Sequence, residues 1–207
     1  MEFAKLTYGN IDVYKAKTEG INDKKLLAEI YPIKRYLFHD LEYNDEKLHL
    51  PGIQMTSDYM MGDELTSIKK KGYDLCKSIY EIENPNRTIY GGLQTSWIYL
   101  STPSNPITHY HDHIIFSPRE IGIQTHYTWI YYIQVPDNCT GEEGHIFFKP
   151  PHLKYNNNDK GAFSFFPEQG CLYMWDAEIP HRPELSPNST IDRVVIAANV
   201  NFNTSVK

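Results

Sequence analysis

Three histidines stand at alternate positions in the stretch ITHYHDHIIF, residues 107–116: His109, His111 and His113. Alternate side chains of an extended strand share a face, so a strand here turns all three imidazoles the same way. Neutral imidazole is a ligand for iron, zinc, copper and nickel, and two rings at i and i+2 converge on one ion without bending the backbone. A polar, half-exposed strand that happens to be rich in histidine has the same composition, so the choice depends on residues further along the chain. Two of them matter. His181 follows the apolar-aromatic run CLYMW, and Arg193 opens the last apolar run, RVVIAANVNF. A histidine at one strand end and an arginine at the start of the next can set a metal ligand and a guanidinium on one side of a barrel. The planar fork of arginine suits bidentate recognition of a carboxylate. Solvent pairing with Asp192 or Glu184 is the alternative, and the apolar run that Arg193 opens favours an inward role.

The elements that must position these groups fall into two halves. From Thr95 onward, short apolar-aromatic runs alternate with turn signals at regular intervals, the pattern of a sandwich or barrel. Strands are expected over 96–101, 109–116, 128–134, 145–149, 161–166, 171–175, a short piece through His181 and Arg182, and 192–201. The first half reads as support. A weak hairpin over 3–14 turns at Gly9-Asn10. A helix over 24–37 is capped by Asn22 or Asp23 and interrupted at Pro32. A second helix runs over 63–81, with Leu65, Ile68, Gly72, Leu75, Cys76 and Ile79 at helical spacing and Lys69, Lys70 and Lys71 on its solvated side. Residues 39–62 read as a loop holding a short strand, with His39 and His49 at the surface. The expectation is one domain over 1–207, a helical support layer over 1–92 and a β core over 93–204.

Composition narrows the function. The 207 residues carry a formal charge of -6 and 41% hydrophobic side chains, enough for a proper core but without the basic surface that nucleic acid or an anionic membrane requires. No apolar run approaches a membrane span of about 18 residues, and no leader pattern opens the chain. Cys76, Cys139 and Cys171 are odd in number and far apart, which suggests neither a disulfide framework nor a CxxC metal site and fits a reducing cytoplasm. The chain is 14% aromatic, with sixteen tyrosines spread along its length, and such rings suit strands and pocket walls.

Taken in order, Trp97, HYHDH, TWIYYIQVP, GEEGHIFFKPP, FPEQGCLYMWDAEIPH and Arg193 within RVVIAANV resemble the Fe(II)/2-oxoglutarate-dependent oxygenases, in particular those of bacteria and phages with an H-x-H, a later histidine and an arginine. The resemblance spans about residues 90–202. It implies a double-stranded β-helix, a jelly roll related to the cupins. It also implies iron held by two histidines and a carboxylate, and 2-oxoglutarate and O2 as co-substrates, with succinate and CO2 released as a substrate is hydroxylated. Carried over, His181 is the distal ligand and Arg193 the 2-oxoglutarate anchor.

The proximal pair departs from the family's usual H-x-D. The stretch offers His109-x-His111 or His111-x-His113; the twelve-residue gap from Trp97 to His109 resembles that of the family's H-x-H members, and that resemblance implies His109 and His111 as ligands beside His181. His113 is then a neighbouring donor or pocket wall, and Asp112 reaches the metal only through a bulge. Tyr131 or Tyr132, adjacent on one strand and facing opposite ways, is a candidate to hold 2-oxoglutarate. A cupin-like metalloprotein that does not use 2-oxoglutarate, and a non-catalytic jelly-roll binding protein, are the competing readings. The substrate, a small molecule or a peptidyl residue, and the oligomeric state are left open, with residues 117–127 as a candidate lid.

Overall fold

Alternation along each strand decides the architecture, because it gives the central sheet two apolar faces that must both be covered. The computed structural model describes residues 2–32, 53–56, 62–103, 110–114, 125–151, 161 and 163–207. In chain order the elements are β1 (Ala4–Tyr8), β2 (Ile11–Lys17), α1 (residues 23–32), β3 (Ile53–Thr56), α2 (Asp63–Glu83), β4 (Arg87–Ser101), β5 (Tyr127–Gln134), β6 (Ile146–Phe148), β7 (Phe163–Phe165), β8 (Cys171–Asp176), β9 (His181–Pro183) and β10 (Arg193–Val206). A seven-stranded antiparallel sheet has the order β1-β2-β8-β5-β10-β4-β3, and a smaller sheet has the order β7-β6-β9. His111 extends the smaller sheet by a single antiparallel bridge to His181. The two sheets face one another as a double-stranded β-helix.

On one face of the large sheet, Tyr127, Trp129, Tyr131 and Ile133 of β5, Leu172 and Met174 of β8, and Val194, Ile196, Ala198 and Val200 of β10 pack with Leu26 and Ile30 of α1 and Leu65, Ile68, Leu75, Cys76 and Ile79 of α2. The intervening positions, Tyr132, Cys171, Tyr173, Trp175 and Val195, point between the sheets and meet Ile146 and Phe148 of β6, with Ile11 and Val13 of β2. Gly72 lets α2 approach closely. A Cβ there would stand 2.3 Å from the indole of Trp129, which is itself fixed by donating from Nε1 to Gln94 Oε1 at 2.9 Å.

The N-terminal hairpin turns at Gly9, whose φ of +60° suits glycine, and it pairs with β8 as part of the large sheet. Residues 2–92 thus supply strands β1, β2, β3 and the start of β4 as well as helices. Asn22 Oδ1 accepts from Lys25 N at 3.1 Å and caps α1; Ile33 and Leu37, expected on this helix, lie outside the described residues, as do His39 and His49. The α2 pattern is as expected, with the helix two residues longer. Strand β4 begins at Arg87 rather than Ser96, because its exposed, glycine-containing half pairs with the C-terminal half of β10 as a ribbon reaching past the barrel. Within the expected strand 109–116, residues 110–114 make only the His111 bridge and no regular ladder. Among the described residues no helix is long and apolar enough to cross a membrane, and all three cysteines are free thiols.

Candidate metal centre

The smaller sheet brings its histidines together through backbone pairing. His111 N donates to His181 O at 3.1 Å and His181 N donates to His111 O at 2.9 Å. A directly opposed pair on one sheet places both side chains on the same face, and the two rings stand 4.5 Å apart between centroids. Two residues on, His113 N donates to Ala177 O at 2.9 Å, which returns the third imidazole to the cluster. His113 Nε2 lies 3.3 Å from His181 Nε2, and the ligand atoms of His111, His113 and His181 all fall within 4.8 Å of one another.

Packing sets each ring. His181 Nδ1 lies 3.1 Å from Ile179 O and must donate to it, so its Nε2 lone pair faces the cluster. Trp175 meets His181 edge to face at 4.7 Å, and Trp97 stacks on His113 at 5.7 Å. Burial, with His111 next to it, pushes the His113 pKa down to about 3, and burial with both neighbouring imidazoles holds His181 well below the usual range. Both rings are therefore neutral at pH 7, the form that binds a metal. Three convergent imidazole nitrogens, one fixed as a lone pair, fit a divalent ion of the iron-to-zinc group. Asp112 does not join them: its Oδ1 accepts from Ile114 N at 3.2 Å, turning the carboxylate onto its own chain.

Arg193 is buried between the sheets at the start of β10. Its Nη2 donates to Gly144 O at 2.8 Å and to Glu184 O at 3.0 Å, while Nε is buried without a partner. No carboxylate pairs with it among the described residues. A guanidinium fixed by two carbonyls, with a donor left unsatisfied, is a cradle for an anion. Tyr99 of β4 and Tyr132 of β5 both oppose Val195 from either side of β10 and sense the Arg193 charge, which partly offsets the rise that burial gives each hydroxyl; Tyr132 is pushed up to about 12. Tyr131 points the other way, where its hydroxyl donates to Asp23 Oδ1 at 2.6 Å in the helical layer. That contact removes Tyr131 from the site.

Of the residues singled out from sequence, His181, Arg193 and Tyr132 are buried in the barrel, His111 joins His181 at its exposed rim, and His109 lies outside the described residues. His113, expected to be a neighbour of the ligands, belongs to the cluster itself. Sequence reasoning uses Trp97 only to space the histidines and passes over Tyr99. The signal is parity: Trp97, Tyr99 and Ser101 alternate with Ile98 and Leu100, whose side is buried against the helices. Arg182 takes the outer side of β9, pairing with Glu184 at 2.7 Å.

No protein-family model matches the sequence, and no curated protein matches it. Solved structures do match. The chain is similar to the viral collagen prolyl hydroxylase of Paramecium Bursaria Chlorella virus-1 in its 2OG complex, at TM-score 0.53 and 13% identity over 90% of this chain and 95% of that one. It is similar to a Pseudomonas putida prolyl-4-hydroxylase at TM-score 0.54 and 11% identity, over 92% of each chain. The double-stranded β-helix of the 2-oxoglutarate oxygenases is the fold of this chain. A third similar structure, HygX from Streptomyces hygroscopicus with nickel and 2-oxoglutarate bound, matches at TM-score 0.51 and 8% identity over 91% of this chain and 82% of that one.

Proposed function

We propose that the protein is a non-haem Fe(II)- and 2-oxoglutarate-dependent dioxygenase that hydroxylates a small-molecule or peptidyl substrate with release of succinate and CO2. One observation carries the reading: three histidines converge at one place in a double-stranded β-helix whose interior also holds a buried, partly unsatisfied arginine. His111, His113 and His181 are the proposed iron ligands, the His111-x-His113 register in place of His109-x-His111. Iron bound there, with 2-oxoglutarate and O2, supplies the oxidising chemistry.

The chain's own residues do the rest. Ile179 O fixes the His181 tautomer, and Trp97 and Trp175 hold the rings of His113 and His181 in place. Arg193 receives the distal carboxylate of 2-oxoglutarate, with the Tyr132 hydroxyl beside it. Along β10, Arg193 stands four residues from Ala197, the partner of Trp97. That is about 13 Å of strand, a span the arginine side chain and a five-carbon diacid can fill together. The aromatic wall of Phe148, Tyr173 and Trp175 excludes water from this space. The free cysteines suit a cytoplasmic setting.

Anaerobic titration of the metal-free protein tests the proposal. Fe(II) followed by 2-oxoglutarate is expected to give a weak visible charge-transfer band, and succinate is expected to form in air. Arg193→Gln should lose the band while retaining iron. His113→Ala and His181→Ala should lose iron itself, by about 100-fold in affinity, whereas His109→Ala keeps it. Iron binding with neither band nor succinate would favour a cupin-like metalloprotein, and iron retention in His113→Ala with loss in His109→Ala would restore the other ligand register.

A further inference from the structure

The outer face of the smaller sheet, turned away from the histidines, holds two buried cations. Phe148 of β6 pairs with His181 of β9, and Phe147 with Arg182. The alternation that sends Phe148 and His181 into the barrel therefore sends Phe147, Lys149 and Arg182 outward. The antiparallel His111–His181 bridge continues the sheet on the other edge of β9. That bridge sets Tyr110, one residue before His111, across from Arg182 on the same outer face. Tyr110 and Arg182 are each 5% exposed, and Lys149 is 1% exposed.

Lysine and arginine are seldom buried this far without compensation, and here aromatic faces supply part of it. The Arg182 guanidinium carbon lies 4.8 Å from the Phe147 ring centroid and 5.2 Å from that of Tyr110, while its Nη1 donates to Glu184 Oε2 at 2.7 Å. Lys149 Nζ stands over the Tyr110 ring, 4.2 Å from the centroid. One ring thus meets two cations, and burial strengthens both contacts. The Tyr110 hydroxyl fits closely against Gly161, where a Cβ would stand 2.7 Å from it and 2.7 Å from Phe148 O.

This grip lies where the metal centre is least secured by its own backbone. Residues 110–114 form no regular ladder, and the pairing at His111 is a single bridge of two main-chain hydrogen bonds. The His111 side chain is exposed, whereas that of His181 is buried. We propose that Tyr110, held by Lys149 and Arg182, is a positioning residue for the metal ligand His111. The proposal rests on the metal-centre reading of the histidine cluster and extends it to residues on the opposite face of the sheet. Fixing the backbone one residue before His111 orders the ligand in advance, so that less conformational freedom is lost when the metal binds.

Two measurements on the intact protein separate the clamp from the metal. In the metal-free protein, hydrogen exchange at the His111 amide reports the bridge itself; titration with Co(II) reports its effect on the ligand set. Tyr110→Leu keeps bulk without a ring, and Lys149→Met keeps the chain without the charge. Each is expected to speed exchange at His111 and to weaken Co(II) binding by about tenfold. Tyr110→Phe keeps the aromatic face and should stay within about twofold of the wild type in both. In a His111→Ala background, already weaker for Co(II) by about 100-fold, Tyr110→Leu should cost nothing further, because its action passes through His111. Should Tyr110→Leu fail to fold, Lys149→Met carries both measurements and the same double-variant comparison. Unchanged exchange and affinity in Lys149→Met, equal losses in Tyr110→Phe and Tyr110→Leu, or an undiminished loss in the His111→Ala background overturns the proposal. Failure of the metal reading shows separately, as wild-type protein that protects the His111 amide and binds no Co(II).

Discussion

His113 and His181 are neutral because they are buried beside other imidazoles, and that neutrality has a cost in acid. Both titrate near 6.5 in the unfolded chain, whereas the fold holds His113 down to about 3 and His181 well below its usual range. Below pH 6.5 the unfolded state takes up protons that the folded state refuses, so their contribution is fully present above 6.5 and is lost as pH falls toward 3. For His113 alone the loss is about 1.4 kcal/mol per pH unit. His126, half-buried and also depressed by burial, adds in the same direction. Asp137, held at about 2 by hydrogen bonds from Thr190 and Ser189, acts only below its ordinary value near 4 and cannot imitate the effect. Urea midpoints of chelator-treated protein should therefore fall steadily from pH 7 to pH 5, and His113→Phe should flatten the slope. A flat wild-type profile would mean that the two rings are hydrated and protonated, and the buried cluster would then be wrong.

At the scale of elements, the site depends on how tightly α2 presses the large sheet. Gly72 sits in mid-helix, where replacement by alanine ordinarily gains about 1 kcal/mol. Here the added methyl meets the indole of Trp129, which is fully buried and tied to Gln94. Overpacking of a fixed ring reverses the sign, and Gly72→Ala should lower stability by about 1–3 kcal/mol in chemical denaturation. A stabilised variant would show that the helix slides on the sheet. The helical spacing of Leu65, Ile68, Gly72, Leu75, Cys76 and Ile79 made this contact readable in sequence, because a period of 3.6 survives without knowledge of the partner. The order of strands β5 to β10 was readable for a similar reason, through alternating aromatics between turn signals. The outer half of β4 was not, since Gly91 and Gly92 break the short strand-favouring run Thr88-Ile89-Tyr90 and leave no sustained apolar period, and pairing with β10 keeps the whole stretch extended. The histidine register was beyond sequence too. A regular strand aligns His109, His111 and His113 equally, and the choice of His113 comes from the bond between its amide and Ala177, far along the chain.

Across the whole molecule, the double-stranded β-helix encloses an unusual balance of charge. The imidazole cluster contains no carboxylate among the described residues, and Arg193 is buried without a carboxylate partner among them. A divalent ion would raise the interior from one positive charge to three, in surroundings that screen charge far less than water does. A dianion held by Arg193 beside a metal on the three histidines would relieve most of that excess, so the two ligands should favour one another. Linkage requires the effect to be mutual: whatever factor 2-oxoglutarate adds to metal affinity, the metal adds to 2-oxoglutarate affinity. Calorimetric titration with Co(II) as the probe should give the same coupling in either order of addition, about 10- to 100-fold, with the factor shrinking toward one in Arg193→Gln. Independent binding would place the histidines and Arg193 in separate pockets and remove the physical basis for a shared co-substrate. Coupling that survives intact in Arg193→Gln would move the anion's anchor to another residue, with the Tyr99 and Tyr132 hydroxyls the first to replace by phenylalanine.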